Sequence, residues 1–382
     1  MKFLNKILFF LFFIISARNV AAQKSKNYFL FVGTYTSGKS EGIYVYNFNT
    51  DSGKTNYINS VKTSNPSYLA VAANKKFIYA VNENADSTRF TKTGSISAFS
   101  FNKKNGLLQQ ISKQESGGKH PCYVAIDKTG KWLVAANYSS GSFAILPIQK
   151  NGELAPAVQT IQHAGKGAIA SRQDGPHAHS AFFSADNKTL YVQDLGIDKI
   201  MVYNFDATSG KAVAANIPFF ETKSGSGPRH LDFHPSGKYM YVIEELTNTV
   251  NVLEKKMDGS LQSIQNIPSV PENYQGPAGG ADIHVSTDGK FLYTSNRGTS
   301  NTIGIFSIDQ KTGKINLLAH QSTMGSSPRN FSLDPTGNFL LVANQQSDNI
   351  VVFKRDSKTG LLIYTGHQIN VANPVCLKWM AH

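Results

Sequence analysis

Three arginines, a glutamate and a histidine are the chemically capable residues that stand out in this 382-residue chain: Arg229, Arg297, Arg329, Glu245 and His179. Arginine is scarce here, with seven residues against 31 lysines. A planar guanidinium holds a carboxylate or phosphate through two parallel hydrogen bonds, which lysine cannot do. Histidine or glutamate can take a proton from water. Together these residue types suit a reaction in which negative charge builds up on an ester oxygen.

The elements that must position these residues are copies of one hairpin. It reads "PRHLDFHPSGKYMYVIEE" from residue 228 and "PRNFSLDPTGNFLLVANQ" from residue 328. Seven copies begin at prolines 46 to 55 residues apart: Pro66, Pro121, Pro176, Pro228, Pro277, Pro328 and Pro374. Short alternating strands with Gly, Asn and Asp turns at this period predict an all-β chain, a seven-bladed β-propeller with four strands in each blade.

The two ends of the repeat array are complementary. The last copy, "PVCLKWM", stops after one strand, and "YFLFVGTYTSGKSEGIYVYNFN" near the start lacks a first strand. We therefore expect the C-terminal strand to complete the blade begun by the N-terminus, which leaves no unpaired edge. Residues 23–382 are predicted to form this one propeller domain.

Residues that lie at the same distance from the turn in each hairpin occupy equivalent positions. Their types show which positions pack in the core and which could take part in chemistry. Positions four and six before the turn are apolar in nearly every copy, which predicts core residues. Seven residues after the turn, small or acidic polars recur, which we interpret as hydrogen bonding to loop backbone: Asn82, Asn137, Asp194, Glu244, Asn296 and Asn344.

Two positions vary in a way that packing does not explain. Eight residues before the turn, the first-strand position holds Ser67, Cys122, His179, Arg229, Ala281 and Arg329. Eight residues after it, the second-strand position holds Glu83, Tyr138, Leu195, Glu245, Arg297 and Gln345. These positions lie nearly opposite each other in an antiparallel hairpin, so both should face one mouth of the central channel.

We assign catalytic roles at this mouth to His179, Glu245, Arg229 and Arg297. Substrate binding is assigned to a further set: Arg329, His177, Glu83 and Tyr138. The alternative is that the arginines only form ion pairs between blades with Glu83 and Glu245. His230 has the opposite strand parity to Arg229 and His234 lies in the turn, so both are expected to be structural.

Other reaction types lack their motifs. No nucleophile elbow is expected, and neither Cys122 nor Cys376 belongs to a cysteine–histidine motif, which favours direct attack by water. His177, His179 and His284 could converge on a metal, but no HExxH pattern or Asp-rich calcium loop occurs, so neither a metal nor a cofactor is expected. The cysteines fall two repeats apart at opposite parity and should be unpaired.

Residues 1–22 resemble a cleaved secretory signal, with Lys2 and Lys6, an apolar run from Ile7 to Ile15 and a small-residue site at Ala22. We expect an exported protein, periplasmic or secreted, without a membrane span. Its formal charge of +13 falls to +10 without this segment. The lysines are scattered, so a small anionic ligand is expected as partner and nucleic acid is not. A monomer is expected.

The runs "HSAFFSADNKTLYVQDLGIDKI", "GPRHLDFHPSGKYMYVIEELTNTVNV" and "ADIHVSTDGKFLYTSNRGTSNTIGIFSI" give the chain a family resemblance. It resembles the seven-bladed lactonase family that contains bacterial 6-phosphogluconolactonase and fungal carboxymuconate lactonising enzyme. The resemblance implies lactone hydrolysis, with the family's proposed active-site residues matching His179, Arg229, Glu245 and Arg297. It implies Arg229 and Arg297 as anion clamps and Glu245 or His179 as acid and base.

Two other functions remain open at this stage. A cycloisomerase of the muconate branch would use the arginines for substrate carboxylates without an attacking water. A non-catalytic propeller would use the same mouth as a binding platform, since a fold does not fix a function.

Overall fold

A computed structural model describes residues 27–85 and 93–382. Within these ranges the chain forms 28 β-strands and one short 3-10 helix, Leu195–Ile197. The strands make seven four-stranded antiparallel sheets, which confirms the predicted all-β propeller. No helix in the described ranges is long and apolar enough to cross a membrane. The predicted signal segment, residues 1–22, lies outside them.

Six blades run in chain order from an inner to an outer strand. Blade 1 contains β4 (Leu69–Val71), β5 (Phe77–Asn82), β6 (Ser95–Asn102) and β7 (Leu107–Glu115). Blade 2 contains β8 (Pro121–Ile126), β9 (Trp132–Asn137), β10 (Ser142–Pro147) and β11 (Gln159–Gln162). Blade 3 contains β12 (Ala178–Phe183), β13 (Thr189–Asp194), β14 (Lys199–Asp206) and β15 (Lys211–Glu221). Blade 4 contains β16 (Pro228–Phe233), β17 (Tyr239–Glu244), β18 (Thr249–Lys255) and β19 (Leu261–Pro268). Blade 5 contains β20 (Gly280–Val285), β21 (Phe291–Asn296), β22 (Thr302–Ile308) and β23 (Ile315–Ser322). Blade 6 contains β24 (Pro328–Leu333), β25 (Phe339–Asn344), β26 (Asn349–Arg355) and β27 (Leu362–Asn370).

Blade 7 closes the ring from both ends of the chain. Its inner strand is β28 (Pro374–Ala381), followed by β1 (Asn27–Thr34), β2 (Gly42–Asn49) and β3 (Thr55–Lys62). β28 pairs antiparallel with β1, with Phe29 opposite Met380 and Val32 opposite Leu377. The predicted closure is confirmed, and it pairs the inner edge of β1 within the ring.

The core lies between neighbouring blades, as the repeated apolar positions predicted. The residue four before the turn is half-buried, and its partner six before the turn is buried in every blade: Leu69, Val124, Ala181, Leu231, Ile283 and Phe331. Leu231 of blade 4 packs with Tyr191 of blade 3, and Phe331 of blade 6 packs with Tyr293 of blade 5.

Six of the seven inner strands contain a bulge near their beginning, and the exception is β4 of blade 1. In blade 4 the pairing passes from Pro228 with Glu244 to His230 with Ile243, so Arg229 has no partner residue across the hairpin. The pairing skips residues in the same way in five other inner strands. The residues without a partner across the hairpin are Cys122, His179, Ala281 with Asp282, Arg329 and Val375. A bulge redirects side chains, and here it occurs at the first-strand position.

The second-strand position is fixed by one hydrogen bond that recurs in all seven blades. Its backbone N–H donates to a carbonyl in the loop before the inner strand, for example Glu245 to Gly227 (2.8 Å) and Arg297 to Gly279 (3.0 Å). In blade 7 the donor is Tyr35, which bonds the Asn373 carbonyl (3.1 Å). Tyr35 is therefore the seventh member of the second-strand set, which six hairpins alone did not reveal.

The polar residues seven after the turn behave as predicted in five blades. The four asparagines donate from Nδ2 to a loop carbonyl, with distances of 2.6 to 3.0 Å, and Asp194 accepts from the His177 backbone N–H at 2.7 Å. Glu244 departs from the prediction. A carboxylate cannot donate to a carbonyl, and Glu244 instead accepts from side chains of its own blade: Thr249, Asn251 and Asn266.

Candidate active site at one mouth of the central channel

Residues from six of the seven blades line one small cavity of about 10 Å³, which has room for about one water molecule, so a larger ligand would lie at its opening. They are Ser67, Tyr68, Cys122, His179, Arg229, His230, Arg329, Asn330 and Val375. Five of these occupy the first-strand position, and Val375 is its counterpart in blade 7. The displaced residues of different blades therefore meet at the channel mouth because their inner strands carry the same bulge, and Ser67 of blade 1 joins them from just before β4.

Glu245 is surrounded by three guanidinium groups beside this cavity. Its Oε2 atom lies 2.8 Å from Arg229 Nε and 2.9 Å from Arg297 Nη2, and its Oε1 atom accepts a hydrogen bond of 2.6 Å from Arg172 Nη2. The Arg229 Nε–H is not aligned with the carboxylate, so that contact is an ion pair without a hydrogen bond. The alternative of ion pairs between blades thus describes Arg297, which reaches Glu245 from blade 5, whereas Arg229 pairs with Glu245 within its own hairpin.

Arg172 was missed by the sequence analysis because it lies in the loop between β11 and β12, outside the repeated hairpin. Its Nη2 atom also lies 3.4 Å from the Tyr138 hydroxyl, while the side chain remains 41% exposed. The only signal available in the sequence was its type, since arginine is scarce in this chain.

The arginines determine the ionisation of Glu245. Burial alone would raise its pKa, but Arg297, Arg229 and Arg172 outweigh that effect and hold the pKa well below its usual range. Burial, together with Arg297 and Arg329, lowers the pKa of Arg229 to about 10. Both groups are charged at neutral pH, and Glu245 is a weak base because its proton affinity is so low.

Arg329 differs from the other arginines. Its guanidinium lies over the Tyr35 ring, 5.4 Å from the centroid. The Tyr35 hydroxyl donates to Glu83 Oε2 at 2.7 Å, and the Ser67 hydroxyl donates to the same oxygen. Among the described residues no carboxylate forms an ion pair with Arg329, so for Arg329 the ion-pair alternative is wrong. Burial alone would lower the pKa of Arg329, but its interactions with Tyr35, Glu83 and Glu245 raise it, so carboxylates lie nearby without a direct ion pair.

His179 is buried beside the arginines, and its Nδ1 atom has no hydrogen-bond partner in the described part of the chain. Burial first, and then Arg229, holds its pKa well below the ordinary value, so the imidazole is neutral at pH 7. An orphaned polar atom at a cavity wall marks a place where a ligand can bond.

Tyr138 and His177 form the rim on the His179 side. The two rings stack with centroids 4.5 Å apart, and the His177 Nδ1 atom lies 3.1 Å from the Tyr138 carbonyl oxygen. The Tyr138 ring also meets His179 edge to face at 5.6 Å. All eight residues assigned from the sequence therefore lie around one mouth.

The expectation for His230 needs correction. His230 lines the same cavity as Arg229, although strict alternation would turn one of them away. The bulge breaks the alternation, so consecutive side chains share the channel side. His234 lies in the turn as predicted, where Nδ1 is 2.8 Å from the Ser236 hydroxyl.

Cys122 and Cys376 are both free, as predicted. Both are also buried, and burial raises the pKa of both thiols. His284 contacts Asp282 and Asp232, and no group of three or more His, Cys, Asp or Glu side chains within residues 27–85 and 93–382 could hold a metal ion.

The expected lack of a nucleophile elbow rested on the absence of a GxSxG pattern, and that absence needs correction. "GKSEG" at residues 38–42 matches GxSxG. However, Ser40 lies in the loop between two strands, β1 and β2, where its hydroxyl is 2.6 Å from that of Thr34. An elbow needs a strand-to-helix turn that exposes the serine, so this match is not one.

Fold and site together define a seven-bladed propeller with a cationic pocket at one end of its channel. A family model described as "Lactonase, 7-bladed beta-propeller" matches residues 29–379. The chain belongs to this lactonase family.

Individual relatives agree with that assignment. The chain is 39% identical to a 6-phosphogluconolactonase of Formosa agariphila, covering 87% of this chain and 94% of the relative, and 36% identical to a 6-phosphogluconolactonase of Bacillus subtilis over 92% and 98%. The solved structure of a periplasmic gluconolactonase from Pseudomonas aeruginosa is 37% identical, with a TM-score of 0.87 over 93% of this chain and 99% of that one.

Proposed function

We propose that this protein hydrolyses a sugar lactone to the open acid, with 6-phosphogluconolactone or a related carbohydrate lactone as substrate. The observation that carries the proposal is the charge of the pocket. Four guanidinium groups, from Arg172, Arg229, Arg297 and Arg329, face the two carboxylates of Glu83 and Glu245. Two positive charges are left uncompensated, which favours an anionic ligand and a developing oxyanion. The names of the relatives support the same substrate class.

Arg229 and Arg297 are proposed to stabilise the oxyanion. Both are buried or nearly so, and both are held in place by Glu245 and by backbone carbonyls: Arg229 donates to Ala281 and Arg297 Nε donates to Gly279 at 3.1 Å. Fixed cations in a site with little water need no reorganisation when charge appears on the substrate.

Glu245 is proposed to orient the arginines and not to act as the base. Its strongly lowered pKa makes it a weak proton acceptor. His179 is neutral and has an unpartnered Nδ1 atom, which supports a role for it in proton exchange with the lactone. Of the two residues that the sequence left open as acid and base, these observations favour His179.

The reaction follows as direct hydrolysis. A water oxygen attacks the lactone carbonyl carbon, the carbonyl electrons move to oxygen, and the arginines stabilise that charge. When the tetrahedral intermediate collapses, the bond to the ring oxygen breaks and that oxygen receives a proton. Export of the protein, proposed from residues 1–22, would favour an unphosphorylated sugar lactone, whereas the uncompensated Arg329 favours a second anionic group on the substrate.

The test is to measure hydrolysis of 6-phosphogluconolactone and glucono-lactone by the protein lacking residues 1–22, corrected for spontaneous ring opening. Arg229→Ala and Glu245→Gln should each lower kcat/KM by about 100-fold, the scale lost with one charge-stabilising group. Glu254→Gln is the matched control because Glu254 is in the same blade but pairs with the surface residues Lys238 and Lys256.

Two results would contradict the proposal. Turnover at the buffer rate on both lactones would overturn it and favour a cycloisomerase or a binding platform. If Glu245→Gln and Glu254→Gln both leave the rate of lactone hydrolysis unchanged, the active site does not lie at this mouth.

A further inference from the structure

A second histidine faces the cavity with a carboxylate behind it. His230 Nδ1 lies 2.8 Å from Asp282 Oδ1, and both side chains are at least 96% buried. Burial alone would raise the pKa of Asp282. The charge of His284 and the hydrogen bonds from His230 and His284 outweigh burial and hold this pKa well below its usual range. Because Asp282 is ionised, Nδ1 of His230 carries the proton and Nε2 presents its lone pair. Burial first, and then Arg229, lowers the pKa of His230 to about 4, so the imidazole is neutral at pH 7 and remains a stronger proton acceptor than Glu245.

The carboxylate that holds His230 is itself held from two sides. His284 Nε2 lies 3.1 Å from Asp282 Oδ2, and Asn330 Nδ2 donates to the same oxygen. Asn330 is fixed in turn, since its Oδ1 atom accepts from the Leu377 backbone N–H at 2.8 Å. The Asp282 carboxylate therefore has a fixed position and fixes the plane and tautomer of His230.

The same chain contains a buried histidine–aspartate pair with a purely structural environment, which serves as a comparison. His163 Nδ1 lies 2.6 Å from Asp194 Oδ2, and its Nε2 atom lies 3.0 Å from the Tyr203 hydroxyl. Both nitrogens of that ring are satisfied within the fold. His230 differs because, among residues 27–85 and 93–382, the hydrogen-bond partner of its Nε2 atom is Arg229 Nη1 alone, at 3.5 Å, and because its ring lines the cavity.

The position of His230 relative to the other groups suits proton transfer. Its ring meets that of His179 edge to face, with centroids 5.2 Å apart. Arg229, the adjacent residue, is one of the two arginines assigned to the oxyanion. A carbonyl carbon beside Arg229 would thus lie next to two neighbouring imidazoles, one with an orienting carboxylate and one without.

We propose that His230 is a further catalytic residue, the general base that deprotonates the attacking water, and that Asp282 is its positioning residue. The inference rests on the proposed lactone hydrolysis and adds a residue to the same site.

The proton balance is complete within the site. Nε2 of His230 accepts one proton from water as the water oxygen bonds to the carbonyl carbon, and the imidazolium is stabilised by the Asp282 carboxylate. When the ring C–O bond breaks, the leaving oxygen takes up the proton that the His230 imidazolium releases, and His230 returns to the neutral form. One water is consumed, and no oxidant or co-reactant is needed.

The experiment compares His230→Gln with His234→Gln, a histidine of the same hairpin that lies in the turn. With glucono-lactone or 6-phosphogluconolactone, whichever the wild-type protein opens, His230→Gln should lower kcat by about 100-fold or more while KM stays within about threefold. Asp282→Asn should lower kcat by about tenfold or more with the same unchanged KM, because the amide favours the wrong tautomer. His234→Gln should match the wild type.

A structural role would give a different result. A packing defect at His230 would displace Arg229 from the oxyanion and lower kcat without changing its pH dependence. A folded His230→Gln protein with wild-type kcat, or with a lowered kcat that keeps the wild-type acidic limb of the pH–rate profile, would therefore overturn the inference. Melting curves check folding, and if His230→Gln does not fold, the kcat and pH–rate profile of Asp282→Asn decide by the same criterion. A wild-type protein that opens no lactone would overturn the proposed function first, before any variant is compared.

Discussion

Arg229 and Glu245 form an ion pair across one hairpin, with Arg229 Nε 2.8 Å from Glu245 Oε2. Arg229 is the bulged residue of β16, and Glu245 directly follows β17. Arg297 joins from the next blade and Arg172 from the loop before blade 3. Buried charges of this kind are tolerated only with partners present, so each member of the cluster depends on the others for stability and for function.

Acid should weaken the fold through Glu245. Its pKa in the folded protein lies well below the ordinary value of about 4.3. A lowered folded pKa contributes stability that is fully present above the unfolded pKa and is lost as the pH falls toward the folded one. Glu245→Gln should lower the free energy of unfolding by about 3 kcal/mol at pH 7, and the difference should shrink by pH 3. Urea unfolding at pH 7, 5 and 3 measures this, and a difference independent of pH would contradict it.

Arg172→Ala should lower kcat/KM by about tenfold, mainly through KM, because it removes one of the positive charges that attract the anion. The effect should be smaller than that of Arg229→Ala, since Arg172 is 41% exposed and its charge is partly screened by solvent. Lys166→Ala, an exposed cation of the same loop, is the control. Equal kinetics for the two variants would remove Arg172 from the site.

Arg329→Gln should distinguish the two substrates. If the uncompensated guanidinium binds a phosphate, the variant should raise KM for 6-phosphogluconolactone by about 10- to 100-fold, the scale of a lost charge-assisted contact. Its KM for glucono-lactone should change by less than about threefold. Steady-state kinetics on both lactones provide the comparison, and an equal rise for both would place Arg329 at the lactone ring instead.

Deleting residues 374–382 should destroy cooperative folding. This deletion removes β28, the inner strand of blade 7, including the buried residues Cys376, Leu377 and Met380. It also leaves the edge of β1 unpaired, which favours association between chains. Size-exclusion chromatography and thermal unfolding should show aggregates and no sharp transition. Deletion of His382 alone is the control, and a monomeric, cooperatively folding protein without β28 would contradict the role of ring closure.

The sequence by itself determined the blade count, the ring closure and the eight residues first assigned to the mouth. Repetition made this possible: when one hairpin is copied, residues with the same role in packing share a type, and Arg229, Glu245 and Arg297 depart from it. Distances from the turn are local quantities, so they carry over from the sequence to the fold without knowledge of distant contacts.

Only the tertiary structure decided which groups contact each other. Arg172 reaches Glu245 from a loop whose path no periodicity describes, and Tyr35 joins the second-strand set through a blade built from both chain ends. His230 faces the cavity because a bulge, which alternation cannot anticipate, puts consecutive side chains on one side of β16. Contacts between distant segments depend on the closed ring, and a list of local patterns does not contain them.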